Sequence, residues 1–355
     1  MAKPLRLAVA GVGNNISALL QGIYYYRTLI ADGADTNKLP GIRHFKIGDF
    51  AIGDIELVAA FDVQPEKIGL PIEKAIFCAP NNYPNLGLDI PHSTTIVHNG
   101  VHLADKGVMG QAGVATELRQ SEADVLLYSL PTGLQRAADA YAECALEAGV
   151  SFVNCTPEAV ARNPEHLQRF EERGLSLIGD DLASHMGTSM LHRAILDLLI
   201  NRGLTLENTY QLNLGGNEDF RNLQNRGESK TVSKRNALAR TGLDMNRVHV
   251  IPSAGVVPHL QDRKVAYLNV IGRGWANMPI SIDLKLEVQD SSNAAGVIID
   301  LIRIAASARR RGLAGFNAAA ASFLKSPPHG HLADEQEREL AELRRLNAAC
   351  AQELV

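Results

Sequence analysis

Two lysines four positions apart, Lys230 and Lys234, follow the polar turn at residues 215–219. Side chains at i and i+4 lie on the same face of a helix, so both ammonium groups would point in one direction. In a water-poor pocket, such cations stabilise negative charge that develops on oxygen, and a lysine with a lowered pKa also exchanges protons. The same spacing is common on solvated helix faces, so the pair alone leaves a surface helix as the alternative.

A short glycine turn lies where a strand is predicted to meet a helix. Gly11 and Gly13 follow the apolar run LRLAVA, and Ile16 replaces the third glycine of the usual motif. In this context, backbone amides of the turn and the helix bind a pyrophosphate. Asp62 ends the second predicted strand and could bind ribose hydroxyls, although it lies farther along the chain than the usual spacing of about 20 residues. The pattern predicts NAD binding, and a parallel α/β domain without a nucleotide remains the alternative.

Strand and helix patterns alternate along the first part of the chain. Buried strands are predicted at 5–10, 55–63, 123–131, 151–157 and 175–181. This alternation predicts an α/β fold with a doubly wound parallel sheet. The pattern changes near residue 200, where segments rich in β-branched residues predict a second, mixed or antiparallel sheet. A long amphipathic helix after Asp290 and a terminal helix complete the prediction.

Length, charge and cysteine content narrow the possible classes of protein. A chain of 355 residues predicts two domains, and a formal net charge of −4 argues against a nucleic-acid or membrane partner. The four cysteines, Cys78, Cys144, Cys155 and Cys350, have no metal-ligand spacing, so we expect reduced thiols and no metal site. The first residues do not resemble a signal peptide, and the apolar runs are short, so we expect a cytoplasmic protein.

Several segments together resemble one family, the myo-inositol-1-phosphate synthases of the bacterial and archaeal type. The matching segments include GVGNNISALLQGIYYY, LVAAFDV, NLGGNEDFRNL, ESKTVSK, DRKVAY and FLKSPP. They follow the family's order across nearly the whole chain, and the combination of GGNxDFxN, ESKxxSK, DRK and LKSPP is highly specific.

The resemblance implies a fold, a reaction and an assembly. A Rossmann-type NAD-binding domain would comprise residues 1–198 and 300–355, and a central α+β domain with a mixed sheet would comprise residues 199–299. The implied reaction oxidises C5 of glucose 6-phosphate, joins C6 to C1 by an aldol step and reduces C5 again, giving myo-inositol phosphate with recycled NAD. A homotetramer is also implied.

The resemblance also implies site residues. Lys230 would handle the proton of the C5 hydroxyl, Lys325 would support the same oxygen, and Lys264 would stabilise the oxygen formed at C1. Lys234 would bind phosphate or assist proton transfer. The remaining implied residues are Asp290, which would orient Lys264 or a hydroxyl; Asn217, Asp219 and Asp262 near the substrate; and Gly11, Gly13, Asn14, Asn15, Asp62, Leu130, Pro131, Asn154 and Asp181 near the cofactor.

The chain departs from the family's pattern at several places near the implied site. Ala254 and Gly255 occupy the neighbourhood of a usual acid, Ala183 replaces a common lysine, and LPTGL and CTPEAVA replace more typical segments. The retained lysines with altered surroundings leave a second cyclase activity open, in which fructose 6-phosphate gives a five-membered cyclitol phosphate. An ordinary NAD-dependent dehydrogenase and a catalytically silent NAD-binding protein are further alternatives.

Overall fold

The computed structural model describes residues 3–105, 107–226, 228–238, 243–331 and 334–348. Cys350 and the end of the predicted terminal helix lie outside these residues. The strands are β1 Leu5–Ala10, β2 Lys46–Ile47, β3 Phe50–Ala51, β4 Ile55–Asp62, β5 Val97–Asn99, β6 His102–Ala104, β7 Gly107–Met109, β8 Val125–Tyr128, β9 Ser151–Asn154, β10 Leu177–Ile178, β11 Thr205–Gly215, β12 Val248–Val256, β13 Arg263–Arg273 and β14 Pro279–Gln289. The helices are α1 Asn14–Ala31, α2 Ile72–Ala75, α3 Gln111–Gln120, α4 Gln135–Ala148, α5 Pro164–Glu172, α6 Thr188–Asn201, α7 Glu218–Arg226, α8 Glu228–Leu238, α9 Asp290–Arg310 and α10 Glu335–Ala348.

The first sheet is parallel and has the strand order β10-β9-β8-β1-β4-β5. The chain therefore continues from the central strand β1 to β4 on one side and reaches β8 on the other. This reversal makes a crevice at the carboxyl ends of β1 and β8, where ligands bind in doubly wound folds. The predicted doubly wound parallel sheet is confirmed.

Alternate side chains of β1 explain how helices cover both faces of this sheet. Leu5, Leu7 and Val9 belong to one buried cluster that includes apolar residues of α1 and α9. Ala8 and Ala10 face the opposite cluster, which includes apolar residues of α3 and α4. A strand that is buried on both faces needs a continuous apolar sequence, which LRLAVA nearly provides.

The second sheet is mixed and has the order β12-β11-β13-β14. β11 pairs with β12 in parallel, whereas β11–β13 and β13–β14 are antiparallel. α9 begins where β14 ends and packs against α1 beneath the first sheet. The helix runs unbroken across position 300, and the proposed division into domains there stays a prediction. In the described part of the chain, no helix is both long and apolar enough to cross a membrane.

Candidate active site

A cavity of about 540 Å³ lies between the two sheets, at the carboxyl ends of β1 and β8. The predicted site residues that line it are Gly11, Gly13, Asn14, Asn15, Asp62, Leu130, Pro131, Asn217, Asp219, Lys230, Lys234, Lys264, Asp290 and Lys325. Asn154, Asp181 and Asp262 lie behind this lining and are fully buried. Segments that are far apart in sequence thus bring cations and carboxylates to one cavity.

The glycine turn has the shape that a dinucleotide requires. Gly11 has a φ of +91°, and a Cβ there would approach the carbonyl oxygen of Ser129 to 2.7 Å. Gly13 precedes α1, and no side chain caps that end of the helix. The first amides of α1 are therefore directed toward the cavity, where they suit an anionic pyrophosphate. Asn15 closes the turn from the side by donating from Nδ2 to the hydroxyl of Ser129 at 3.1 Å.

The carboxylate of Asp62 is held mainly by backbone amides. Its Oδ2 accepts from Val12 N at 2.8 Å, and its Oδ1 accepts from Val63 N and Gln64 N at 2.8 and 3.0 Å. A carboxylate offers about four acceptor positions, so one position on Oδ2 remains for a ribose hydroxyl. The residues present therefore fit NAD, and a negative charge at this position disfavours an additional phosphate on the ribose.

Lys67 is a buried cation beside Asp62 that the sequence interpretation missed. Its Nζ donates to the carbonyl of Val12 at 2.8 Å and to Oδ1 of Asn81 at 3.0 Å, and it lies 3.8 Å from Oδ2 of Asp62. Burial lowers the pKa of Lys67, and the charge of Asp62 opposes this effect. Because Val12 lies between the two glycines, Lys67 fixes the carbonyl at the middle of the turn. A single lysine five positions after a strand carries no local pattern that would have revealed this contact.

Asp181 is the anionic centre of the lysine cluster. Its Oδ1 accepts from Nζ of Lys230 at 2.8 Å and from Nζ of Lys325 at 3.0 Å. Its Oδ2 accepts from the hydroxyl of Ser233 at 2.5 Å. Burial opposes ionisation of Asp181, but the two lysines outweigh it and hold its pKa well below the usual range. Asp181 was predicted to lie near the cofactor. In the structure, its carboxylate accepts hydrogen bonds from Lys230 and Lys325.

Lys230 and Lys325 differ in proton affinity although they share one carboxylate oxygen. For Lys230, burial disfavours the charge, but Asp181 and Asp219 raise its pKa above the usual value. For Lys325, burial and the charge of Lys230 lower the pKa to about 8 despite the attraction of Asp181. Nζ of Lys325 also donates to the carbonyl of Leu182 at 2.6 Å. Lys230 therefore remains a cation near neutral pH, whereas Lys325 can exchange a proton.

Lys234 lies one helical turn after Lys230 and has different surroundings. Its side chain is buried and makes no ion pair with the residues that the structure describes. Burial, together with the charges of Lys264, Lys325 and Lys230, lowers its pKa well below the usual value. A buried amine facing three cations is suited to bind an anion. The charge of the anion would offset both the unfavourable burial of the ammonium group and its repulsion by the other lysines.

Lys264 and Asp290 form a second ion pair in the lining of the same cavity. Nζ of Lys264, on β13, donates to Oδ1 of Asp290, the first residue of α9, at 2.8 Å. Asn217 contacts Oδ2 of Asp290 at 3.5 Å and Oδ1 of Asp262 at 3.3 Å. Lys264 and Asp290, which were predicted to interact, are thus adjacent. The orienting role of Asp290 stays a proposal.

Asp262 and Asp219 are carboxyl groups whose burial favours the neutral form. Asp262 accepts from Asn14 and from both the amide and the hydroxyl of Ser291, and burial raises its pKa to about 6. Asp219 lines the cavity, and burial likewise raises its pKa, with Lys230 acting against the shift. Its described hydrogen-bond contact is the hydroxyl of Thr132, at 3.5 Å from Oδ1. Asp219 therefore keeps capacity for a ligand hydroxyl.

Asn154 performs a structural task below the cavity. Its Nδ2 donates to the carbonyl of Glu158 and to Oδ1 of Asp180, both at 2.8 Å. Its Oδ1 accepts from the amide of Thr156 at 2.9 Å. These bonds fix the backbone of the segment that follows β9. Direct contact of Asn154 with a cofactor stays a prediction.

The start of α6 borders the cavity and was not predicted. Gly187 precedes the helix, no side chain caps it, and α6 packs against α8, which carries Lys230 and Lys234. Ser189, in the first turn, borders the cavity, and its buried hydroxyl has no hydrogen-bond partner among the described residues. Helix amides, a free hydroxyl and an amine can together bind a phosphate. The segment GTS at 187–189 resembles an ordinary helix start, so sequence alone gave little indication.

Solved structures define the class to which this fold belongs. The chain is similar to the crystal structure of Ari2, with a TM-score of 0.88 and 56% identity over 98% of this chain and 99% of that chain. A myo-inositol-1-phosphate synthase-related protein from Thermotoga maritima has the same fold, with a TM-score of 0.74 at 20% identity over 96% of this chain and 98% of that one. The fold is thus Rossmann-type with a second mixed sheet.

Sequence comparison identifies the family within that class. The family model described as myo-inositol-1-phosphate synthase matches residues 187–291. The chain is 41% identical to the inositol-3-phosphate synthase of Mycolicibacterium smegmatis, over 95% of this chain and 96% of that protein. It is 38% identical to the inositol-3-phosphate synthase of Corynebacterium glutamicum, over 95% and 97%. The chain belongs to the myo-inositol-1-phosphate synthase family, which confirms the resemblance found in the sequence.

Proposed function

We propose that the protein is an NAD-dependent sugar-phosphate cyclase that closes the carbon chain of a hexose 6-phosphate. The observation that supports this most directly is the convergence of Lys230, Lys234, Lys264 and Lys325 on one cavity bordered by the glycine turn. The reaction develops negative charge successively on different oxygens of one small substrate. Several lysine side chains around one cavity, each able to carry a positive charge, match that requirement.

The cofactor and this chain's residues have separate tasks. When bound, NAD accepts the hydride from C5 and returns it after ring closure, so no cofactor is consumed. The turn at Gly11–Gly13 and the open acceptor position of Asp62 would hold its pyrophosphate and one ribose. The lysine-lined part of the same cavity would hold the substrate beside the cofactor.

Proton transfer at the C5 hydroxyl is better assigned to Lys325 than to Lys230. A proton acceptor must be neutral part of the time, and a pKa of about 8 gives Lys325 that property. The raised pKa of Lys230 suits a permanent cation that stabilises the C5 oxygen. This exchanges the two roles that the sequence resemblance implied, and both lysines still act on the same oxygen.

The substrate phosphate would bind between Lys234 and the first turn of α6. Lys234 is a buried amine without an ion-pair partner in the described part of the chain, and Ser189 offers a free hydroxyl. Binding a dianion would raise the pKa of Lys234 and so charge it. The phosphate would then fix C6. After C5 has become a ketone, C6 loses a proton, which an oxygen of the adjacent phosphate dianion can accept.

Ring closure needs a cation at the accepting carbonyl. Lys264, oriented by Asp290 at 2.8 Å, would stabilise the alkoxide that forms when C6 attacks that carbon. Asn217 and Asp219 line the same wall and would bind sugar hydroxyls. Reduction of C5 then completes the product without net oxidation.

Two substrates satisfy this chemistry because they are identical from C3 to C6. In glucose 6-phosphate, C6 would attack the C1 aldehyde and give a six-membered myo-inositol phosphate. In fructose 6-phosphate, C6 would attack the C2 ketone and give a five-membered ring carrying a hydroxymethyl group. The names of the synthases to which the chain is similar support the first.

One observation favours the second substrate. Ala183 lines the cavity beside Leu182, at a position where the sequence resemblance implies a lysine. A smaller, uncharged side chain leaves room for the hydroxymethyl group of a ketose.

The decisive experiment incubates the enzyme and NAD with each hexose 6-phosphate and identifies the product by NMR. A phosphorylated carbocycle is expected, and its ring size names the substrate. Absorbance at 340 nm is followed in parallel, since a cyclase accumulates no stoichiometric NADH whereas a dehydrogenase does. Steady NADH formation, or no ring from either substrate, would reject the proposal.

We further propose that the protein assembles as a homotetramer through the second sheet. Leu212 pairs with Ile251 and Tyr267 on neighbouring strands, and Ile251 and Tyr267 are exposed in the single chain. An exposed apolar face of this kind suggests contact between chains. Light scattering tests the assembly, and Tyr267→Glu should reduce its mass.

A further inference from the structure

Asn82 joins the glycine-turn side of the cavity to the substrate side. Its Oδ1 accepts from Nδ2 of Asn14 at 2.6 Å, and its backbone amide donates to Oδ1 of Asn14 at 2.8 Å. Its Nδ2 donates to the carbonyl of Gly216 at 3.1 Å. The side chain of Asn82 therefore accepts from the first residue of α1 and donates to the turn that follows β11.

Both partners of Asn82 belong to segments that carry predicted site residues. Asn14 begins α1 directly after the glycine turn, and Gly216 directly precedes Asn217. A Cβ at Gly216 would lie 2.5 Å from the amide nitrogen of Gln261 and 2.7 Å from the carbonyl oxygen of Val257. The backbone of Gly216 is thus closely enclosed, so its carbonyl is a fixed anchor.

The residues on either side of Asn82 strengthen the same connection. Nδ2 of Asn81 donates to the carbonyl of Val12, inside the glycine turn, at 3.0 Å. The hydroxyl of Tyr83 is 2.8 Å from that of Ser292, near the start of α9. Segment 81–83, which has no regular secondary structure, therefore contacts both sides of the cavity.

We propose that Asn82 is a positioning residue that sets the separation between the glycine turn and the loop bearing Asn217 and Asp219. This rests on the proposed cyclase function, because hydride transfer at C5 requires cofactor and sugar to be held at one separation. Displacement of reacting groups by about 1 Å can cost on the order of 10²-fold in rate. Asn82 touches neither ligand in this account and acts through Asn14 and Gly216.

The test compares Asn82→Ala with the wild type and with Asn85→Ala. Asn85 is exposed two positions after this segment, and its described side-chain contact is the local amide of Gly87 at 2.9 Å. Calorimetric titration with NAD gives affinity and stoichiometry, and steady-state kinetics use the hexose 6-phosphate that the wild type cyclises. For Asn82→Ala we expect kcat to fall about 10- to 100-fold. In Asn82→Ala, the NAD stoichiometry should be unchanged and the NAD affinity nearly unchanged. Asn85→Ala should have the kcat and NAD affinity of the wild type.

Different outcomes separate this inference from its premise. A wild type that makes no carbocycle rejects the cyclase function itself. If the wild type is active and Asn82→Ala keeps the kcat of Asn85→Ala, the positioning role is rejected. It is also rejected if NAD affinity falls in proportion to kcat, because Asn82 would then serve only cofactor binding.

An isosteric variant covers the case in which Asn82→Ala folds poorly. Asn82→Asp retains an acceptor for Asn14 but replaces the donor to Gly216 with an oxygen that repels the carbonyl. We expect a lowered kcat with normal NAD stoichiometry and a C5-deuterium isotope effect on kcat at least as large as that of the wild type. Wild-type kcat in Asn82→Asp would overturn the proposal.

Discussion

Lys230, which lines the cavity, forms an ion pair of 2.8 Å with the buried carboxylate of Asp181, although the two residues are far apart in sequence. Asp181 follows the edge strand β10, and Lys230 is carried by α8. Their mutual attraction raises the pKa of the lysine and lowers that of the carboxyl, against the burial of both. The pair thus creates a permanent cation beside Lys325, which keeps an exchangeable proton.

Replacing Asp181 with asparagine should therefore disable the cluster while preserving its shape. Without the carboxylate, the cations Lys230 and Lys325 lose their shared partner and repel each other. We expect kcat to fall on the order of 10²- to 10³-fold, as for loss of an electrostatic stabiliser. The measurement is turnover of the preferred hexose 6-phosphate, with NAD titration to verify the cofactor site. Lys38→Met, at a side chain that is 82% exposed, is the control; equal activity in both variants would contradict the assigned role.

The pH dependence of the reaction should report on Lys325. Its pKa of about 8 lies below the usual lysine value, so the neutral form grows as pH rises through 8. If Lys325 accepts the C5 proton, kcat/KM rises toward a plateau above that pH. Lys325→Arg, which stays charged, should lose about 10²- to 10⁴-fold in activity. The limb of the pH profile in which kcat/KM rises near pH 8 should also disappear in this variant.

The opposite behaviour would restore the role implied by the sequence resemblance. If Lys325 only supports the C5 oxygen as a cation, kcat/KM falls as pH rises above 8. Lys325→Arg would then keep much of the activity. The direction of the limb therefore decides between the two assignments. Asp181→Asn should move the limb to lower pH, because the carboxylate raises the pKa of Lys325.

Sequence patterns were most informative where local geometry determines the outcome. The apolar run before Gly11 predicted β1 and the turn correctly, since a fully buried parallel strand requires such a run. The lysine pair on α8 was visible through its spacing. That spacing could not reveal that Lys230 would form an ion pair with a carboxylate, whereas repulsion by three other lysines would dominate around Lys234. The difference depends on β10, β13 and the segment bearing Lys325, which approach α8 only in the folded chain.

Residues that act through tertiary contacts gave no comparable indication. The resemblance implied that Asp181 lies near the cofactor, and it could not show that the carboxylate would bond to Lys230 and Lys325. Lys67 and Ser189 belong to no motif, and their importance follows from burial beside the cavity. The resemblance to a family supplied the lysine set, whereas the connecting role of Asn82 emerged from the contacts.

Substrate binding should be accompanied by proton uptake at Lys234. The lowered pKa increases the neutral fraction of this amine in the free enzyme, and a phosphate dianion would raise that pKa. At pH 8, where the phosphate is already a dianion, calorimetry in buffers of different ionisation enthalpy measures the protons taken up. Lys234→Met should lose most of the uptake and weaken binding, whereas Lys38→Met should show neither effect. Uptake that persists in Lys234→Met would assign the proton elsewhere.

Removal of the ammonium group of Lys67 should weaken NAD binding specifically. Lys67→Met breaks the bonds to Val12 and Asn81 and leaves the charge of Asp62 unbalanced. A charge-assisted hydrogen bond contributes about 1.5–3 kcal/mol, so the Kd for NAD should rise about 10-fold or more. Titration with NAD measures this, and thermal unfolding verifies the fold. An unchanged Kd in a folded variant would show that the turn holds its shape without Lys67.

Introducing a lysine at Ala183 should alter the choice between the two hexose phosphates. Ala183 lines the cavity next to Leu182, whose carbonyl binds Lys325. A long cationic side chain there would occupy the space proposed for the hydroxymethyl group of fructose 6-phosphate. We expect Ala183→Lys to lower kcat/KM for fructose 6-phosphate at least about 10-fold more than for glucose 6-phosphate, since a filled pocket discriminates by roughly 1–3 kcal/mol.

Ala183→Ser, which is nearly as small as the native residue, is the matched control and should preserve the native preference. Competition between both substrates, with products resolved by NMR, gives the ratio directly, and an unchanged ratio in Ala183→Lys would remove this position from the account of specificity.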